Sequence, residues 1–178
     1  MLLVVAATGR ELAPVEGART LTCGIGPVEA AVATARALTE ERPSAVLHVG
    51  IAGARGLEPL TFVLGSEAVY CDAAGPLVPA VALPDAALVS RLQAAFPVAV
   101  LRPIGTSARV GGSHGVDVEA MEGFAVLRAC ELAGVPAVEV RVVSNEIDEP
   151  DRARWRFDDA FAALAEALPR LVAVASAA

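Results

Sequence analysis

Short apolar runs that break at glycine turns, each followed by a stretch with helical spacing, constrain this 178-residue chain most. Residues 1–7 read as a buried strand, and residues 19–23 as a second one ending at Gly24-Ile25-Gly26. Pro27 then stands where proline opens a helix, and Val28, Ala31, Val32, Ala35 and Leu38 follow at helical intervals. "SAVLHVGIAGA" (44–54), residues 62–72, "PVAVLRPIG" (97–105) and "AVEVRVVS" (137–144) read as further strands. "PDAALVSRLQAAF" (84–96), a segment ending near Ala133 and residues 155–174 read as helices. Strands that are apolar on both faces need cover on both faces. The alternation therefore predicts one α/β domain over residues 1–178. Its expected form is a three-layer α/β/α fold around a central mixed, mostly parallel sheet.

Composition narrows the function. Apolar residues make up 55% of the chain, yet charges interrupt every run long enough to span a bilayer, so a membrane protein is not expected. The surplus of apolar residues fits a sheet buried on both faces together with a subunit interface, and a homodimer or larger homo-oligomer is expected. A net charge of −7 argues against nucleic acid as a partner. All fourteen basic residues are Arg, which excludes a Lys nucleophile and a P-loop Lys. Cys23, Cys71 and Cys130 are too scattered, and His48 and His114 too few, for a zinc site. The sparse cysteines fit a cytoplasmic protein with buried structural thiols.

Polar residues concentrate between 118 and 148, where Glu119, Glu122, Glu139, Arg141 and Asn145 interrupt apolar sequence. Spacing alone leaves their purpose open. Glu119 and Glu122 flank a strand-to-helix junction, where carboxylates serve either the helix dipole or a sugar diol. Glu139 and Arg141 share one face of a strand whose other face is Val138, Val140 and Val142. In a central strand that pair is costly unless each charge is matched. His48 reads as a core histidine with a satisfied ring. "RARWRF" (152–157) reads either as a solvated helix start or as an anion-binding aromatic pocket.

Taken together, "VVAATGREL", "GIGPVEAA", "LHVGIAGA", "VEAMEGFAVLRAC" and "VRVVSNEID" resemble the nucleoside phosphorylase/nucleosidase superfamily along nearly the whole chain. Within it the likeness is greater to futalosine hydrolases than to methylthioadenosine/S-adenosylhomocysteine nucleosidases. The resemblance implies hydrolysis of an N-glycosidic bond, a small nucleoside as the only ligand, and neither metal nor organic cofactor. It places Glu11 where a carboxylate activates water and Glu122 where a carboxylate holds the ribose hydroxyls, with Met121 packed on the sugar. Arg141, with Glu119 near it, falls where the water is oriented, and Asn145 where the purine N7 edge is contacted.

Departures from the pattern refine this. Asn145 stands where adenine-specific members carry Asp, and an amide's donors suit the N7/O6 edge of a 6-oxopurine such as hypoxanthine. Ile51, in the turn with Gly53, stands where phosphorylases bind phosphate, and an apolar side chain cannot do so. That favours water over phosphate as the nucleophile. The chain is also shortened after Glu11 and between residues 74 and 84. The loop at Arg109 lacks the aromatic that stacks on the purine, so Phe124 or Trp155 are the candidates to replace it. An Arg among 152, 154, 156 and 109 is the candidate partner for the carboxylate of futalosine's aromatic portion. Two other readings stay open: a methylthioadenosine/S-adenosylhomocysteine nucleosidase, and a non-catalytic nucleoside-binding relative.

Overall fold

The computed structural model describes residues 1–12, 16–73 and 75–177. Its strands are β1 (Leu2–Ala6), β2 (Ala18–Thr22), β3 (Val46–Ala54), β4 (Phe62–Tyr70), β5 (Val81–Ala82), β6 (Val100–Thr106), β7 (Val118–Ala120) and β8 (Ala137–Glu146). Its helices are α1 (Pro27–Glu40), α2 (Ala86–Ala95), α3 (Gly123–Ala133) and α4 (Phe157–Ser176), with 3₁₀ turns at Gly9–Glu11 and Arg152–Arg154. The stretch shortened after Glu11 runs into residues 13–15, which lie outside the described ones.

All eight strands join one sheet. The pairs β1–β2, β1–β3, β3–β8, β4–β6 and β6–β7 are parallel, while β3–β7, β4–β5 and β4–β8 are antiparallel. Because β8 pairs with both β3 and β4, the strands β3, β8, β4, β6 and β7 close into a ring. The expected mixed sheet is present, but its centre is curled rather than open. That curl gives β8 neighbours on both edges, and every residue from Ala137 to Asn145 is buried.

Strand alternation sorts the core into layers. Leu2, Val4, Leu47, Val49 and Val138 face a cluster completed by Leu88 and Leu92 of α2 and by Leu164, Leu168 and Leu171 of α4. Leu3, Val5 and Val46 face the opposite layer, with Ala30 and Leu38 of α1 and Val126 and Leu127 of α3. Cys23 and Cys130 are buried, and burial pushes each thiol up to about 12. Cys71, expected to be buried as well, is only half-buried because it leaves β4 at a turn. None of the described helices is long and apolar enough to cross a membrane. On the outer side of α1 and α3, Val28, Val32 and Leu132 remain exposed.

β1, β3 and β8 run parallel, so their carboxyl ends meet at one end of the sheet. Ligands of α/β proteins bind at such ends. There lies a cleft of about 290 Å³, walled on one side by α4 and the segment leading into it.

Candidate active site

Glu11 reaches the cleft from the 3₁₀ turn that follows β1. Thr8 and Glu11 have the spacing of a helix-start box, and the geometry uses it. The Thr8 amide and the Thr8 hydroxyl both donate to Glu11 Oε2, each at 2.9 Å. The other oxygen, Oε1, accepts from the Ile51 amide at 3.4 Å. One oxygen is thus saturated, and the other keeps capacity to accept a proton from a bound water. Gly50 makes this approach possible. A Cβ there would stand 2.7 Å from Glu11 Oε1 and would collide with Nη1 of Arg141.

Arg141 lies beneath the cleft, 1% exposed, and is the hub of a buried charge cluster. Its Nε donates to Glu139 Oε1 at 2.8 Å, Nη2 approaches Glu122 Oε2 at 3.5 Å, and Nη1 approaches the Ile51 carbonyl at 3.5 Å. Nη2 also meets His48 Nε2. His48 Nδ1 faces the Val5 carbonyl at 3.0 Å. A carbonyl only accepts, so Nδ1 carries the proton and Nε2 accepts from Arg141. Burial and the adjacent guanidinium hold the His48 imidazole well below the usual histidine range. The ring is therefore satisfied and neutral, as the sequence led us to expect.

Glu139 is completely buried and faces away from solvent, with Oε2 unpartnered among the described residues. Burial raises its carboxyl, against the pull of Arg141. Burial works against the charge of Arg141 too, but Glu139, Glu122 and Glu11 outweigh it and hold the guanidinium above its ordinary value. Gly123, at the start of α3, leaves the space that the Glu139 carboxylate fills. A Cβ there would overlap both of its oxygens.

Glu122 stands at the entry to α3, 3% exposed, and its Oε1 accepts from the Gly26 amide at 3.0 Å. That contact joins the turn before α1 to the turn before α3. Burial raises the Glu122 carboxyl, while Arg141 and the Gly26 amide oppose the shift. Met121 lines the cleft beside it, as do Ile51 and Gly53 of β3. Glu119 also borders the cleft, but it does not join the Arg141 cluster. Its two oxygens accept from the amides of Gly111 and Ser113, at 2.5 and 2.7 Å. It therefore organises the 111–113 loop. The resemblance placed it near the water with Arg141, and that role does not fit its geometry.

Asn145, one residue before the end of β8, lies with its amide over Gly53, whose Cβ position is 3.0 Å from Nδ2. Nδ2 donates to the Glu146 carbonyl at 3.0 Å, and Oδ1 accepts from the Ser144 hydroxyl at 2.7 Å. The Glu146 carbonyl cannot donate, so it fixes which end of the amide is nitrogen. Glu146 takes one N–H, the other N–H is left for a ligand, and Oδ1 keeps a lone pair, because the Ser144 hydroxyl has one proton and also faces the Ala52 carbonyl at 3.2 Å. The sequence indicated an acceptor and two donors at this edge; the fold leaves one N–H and an oxygen that can still accept.

Two of the expected residues lie elsewhere. Phe124 does not border this cleft. The first turn of α3 aims it to the other side of the sheet, where it stacks on Tyr70 with ring centroids 5.0 Å apart. Arg109 is exposed and absent from the lining, while its neighbour Val110 contributes to the rim. Trp155 does line the cleft, held by a 3.0 Å bond from Nε1 to the Glu149 carbonyl. Phe157 and Phe161 extend its wall, and neither was singled out in the sequence. Among the described residues no group of three or more His, Cys, Asp and Glu side chains is disposed to hold a metal.

The arrangement is a carboxylate able to take a proton, a second carboxylate lining the cleft, an amide with a free N–H, and an apolar aromatic wall. Comparison with known proteins identifies the family. Residues 16–178 match the family model described as the phosphorylase superfamily. The chain is 35% identical to a futalosine hydrolase of Streptomyces coelicolor, over 89% of this chain and 80% of that one. It is 33% identical to a futalosine hydrolase of Thermus thermophilus, over 86% and 80%. The fold is similar to that of the futalosine hydrolase of Helicobacter pylori, with a TM-score of 0.86 and 16% identity over 97% of both chains. It is also similar to a methylthioadenosine/S-adenosylhomocysteine nucleosidase of Colwellia psychrerythraea bound to adenine. There the TM-score is 0.82 and the identity 20%, over 98% of this chain and 93% of that one. At such identities the two structures show a shared fold.

Proposed function

The chain belongs to the phosphorylase superfamily and is an N-glycosidase, and we propose that its reaction is the hydrolysis of futalosine to release hypoxanthine. The observation that carries the choice of purine is the single N–H left on Asn145. N7 and O6 of a 6-oxopurine both accept, so this donor serves either. Adenine offers the same N7 acceptor but a donor in place of O6, so this N–H finds two acceptors on a 6-oxopurine and one on adenine.

In this reading the ribose lies against Glu122 and Met121, with the purine toward Asn145 and a water between the anomeric carbon and Glu11. As the glycosidic bond lengthens, positive charge develops on the sugar, by analogy with other glycosyl transfers. The carboxylates of Glu122 and Glu11 stabilise that charge from fixed positions. Glu11 Oε1 takes the proton of the attacking water. Asn145 stabilises the departing purine by a hydrogen bond rather than by full proton transfer. Arg141 stays below the floor and holds Glu122, with the Ile51 carbonyl, in place. Ile51 presents an apolar side chain where a phosphate would otherwise be bound, which supports water as the nucleophile.

Incubation with futalosine, methylthioadenosine and inosine, with and without phosphate, separates the readings by the base released. Hypoxanthine from futalosine at a rate independent of phosphate supports the proposal. Adenine release as the main activity refutes it. Saturable binding without release of any base assigns the chain to non-catalytic binding instead.

A further inference from the structure

Two carboxylates clamp the loop of residues 107–113, which lies between β6 and β7. Glu119 lines the cleft and accepts from the amides of Gly111 and Ser113. Asp72, two residues after β4, is not part of the cleft lining among the described residues. Its Oδ1 accepts from the Ser107 hydroxyl at 2.9 Å and its Oδ2 from the Ala108 amide at 2.7 Å. The Ser107 hydroxyl in turn accepts from the Arg109 amide at 3.3 Å, and the Gly112 amide donates to the Arg109 carbonyl at 3.2 Å. The loop is folded tightly on itself, with Ser107 completely buried, and a Cβ at Gly112 would collide with Ser107 Oγ.

Strand register shows which part of a ligand this loop faces. Glu119 pairs with Gly53 across β7 and β3, and Gly53 pairs with Asn145 across β3 and β8. The three residues form a row over adjacent strands, and Asn145 is the residue read above as meeting the purine. The loop tied to Glu119 stands at that end and sets Val110 on the rim of the cleft. Val110 is 48% exposed, so the backbone that carries it, more than packing, fixes its place. It lies between the two points of attachment. Asp72 holds residues 107 and 108, and Glu119 holds 111 and 113.

We infer that Asp72 is a positioning residue for the purine: from outside the cleft it fixes the 107–113 loop, and with it Val110, at the base. The inference rests on the nucleoside reading above. A loop ordered in advance loses little freedom when the base enters. It favours the ground state and the transition state alike, so its loss shows in KM rather than in kcat.

The test is calorimetric binding of hypoxanthine, which needs no turnover, to the wild-type protein and its variants. Asp72→Ala is expected to bind hypoxanthine roughly tenfold more weakly. Asp72→Asn keeps one acceptor and should lose less. KM for futalosine should rise by a similar factor in Asp72→Ala, with kcat within about twofold of wild type. Asp85 supplies the control, since it accepts from the Leu88 amide at the start of α2 and is not in the cleft lining. Asp85→Ala should lower Tm and leave hypoxanthine binding unchanged. Wild-type affinity for hypoxanthine in Asp72→Ala overturns the inference, as does an equal loss in Asp85→Ala or a fall in kcat at unchanged KM. A wild-type protein that does not bind hypoxanthine overturns it too. If Asp72→Ala weakens hypoxanthine as expected but the wild-type protein releases none from futalosine, the inference stands and the hydrolase reading falls.

Discussion

Replacement of Glu139 by Ala tests the buried cluster that supports the cleft. Among the described residues Glu139 is not part of the cleft lining, and its carboxylate is the one partner of Arg141 Nε. Removing one member of a fully buried ion pair costs about 3–5 kcal/mol, because the other charge is left without its match. Here Arg141 keeps His48 on Nη2 and Glu122 at 3.5 Å, so the lower end applies, about 3 kcal/mol. For a domain of this length each kcal/mol moves Tm by roughly 2–4 °C, giving a fall of about 6–12 °C. Glu139→Gln retains an acceptor for Nε and should lose less. Melting followed by circular dichroism measures the shift, and hydrolysis assayed well below the lowered Tm should still be reduced, because Arg141 positions Glu122. A Tm within 2 °C of wild type for Glu139→Ala would refute the claim that Glu139 holds Arg141.

Further outcomes follow from the same geometry. Glu11→Gln removes the proton acceptor while its amide can still meet Thr8. Turnover should fall by roughly 10²- to 10⁴-fold with Tm nearly unchanged, and equal turnover would remove Glu11 from the chemistry. Asn145→Asp replaces the lone N–H with an acceptor and sets a carboxylate oxygen against the Glu146 carbonyl. The ratio of kcat/KM for 6-oxopurine over adenine nucleosides should drop by at least tenfold, and an unchanged ratio would show that Asn145 does not read the purine. His48 has a folded pKa below its unfolded value of about 6.5, so the unfolded state binds more protons below that pH. Its contribution to stability is full above pH 6.5 and is lost as pH falls toward the folded pKa, at up to about 1.4 kcal/mol per pH unit. The raised carboxyls of Glu122 and Glu139 act in the opposite sense, so the comparison is with His48→Gln, which keeps a donor and an acceptor. Denaturant unfolding from pH 7.5 to 5.5 should show the extra loss only with His48 present.

Much of this was legible in the chain, because periodicity reports burial directly. The strands at 2–6, 46–54 and 137–146 and the helix after Pro27 follow from their apolar patterns. β5 and β7, of two and three residues, are too short to carry a pattern, and the curl of the sheet depends on β8 pairing with β4, a contact between segments far apart. Glu11, Met121, Glu122, Arg141 and Asn145, to which the resemblance pointed, line one cleft. Glu119 and Phe124 show its limit: both adjoin the right segment, but one side chain turns to a loop and the other to the opposite face. Glu139 had no assignable role in the sequence, since only the closed ring of strands brings its carboxylate against Arg141 and the start of α3. Thr8 was the missed signal that spacing did contain, three residues before Glu11. At the end of the same stretch Asp148 and Glu146 contact Arg55 and the Gly56 amide at the surface.

The most direct test of the central claim is the product balance from futalosine in phosphate-free buffer. Hypoxanthine and sugar reducing ends, quantified together over the initial rate, are expected in equal amounts and at a rate that added phosphate leaves unchanged. A reaction that needs phosphate, yields a sugar phosphate without a reducing end, or leaves futalosine intact would contradict the account.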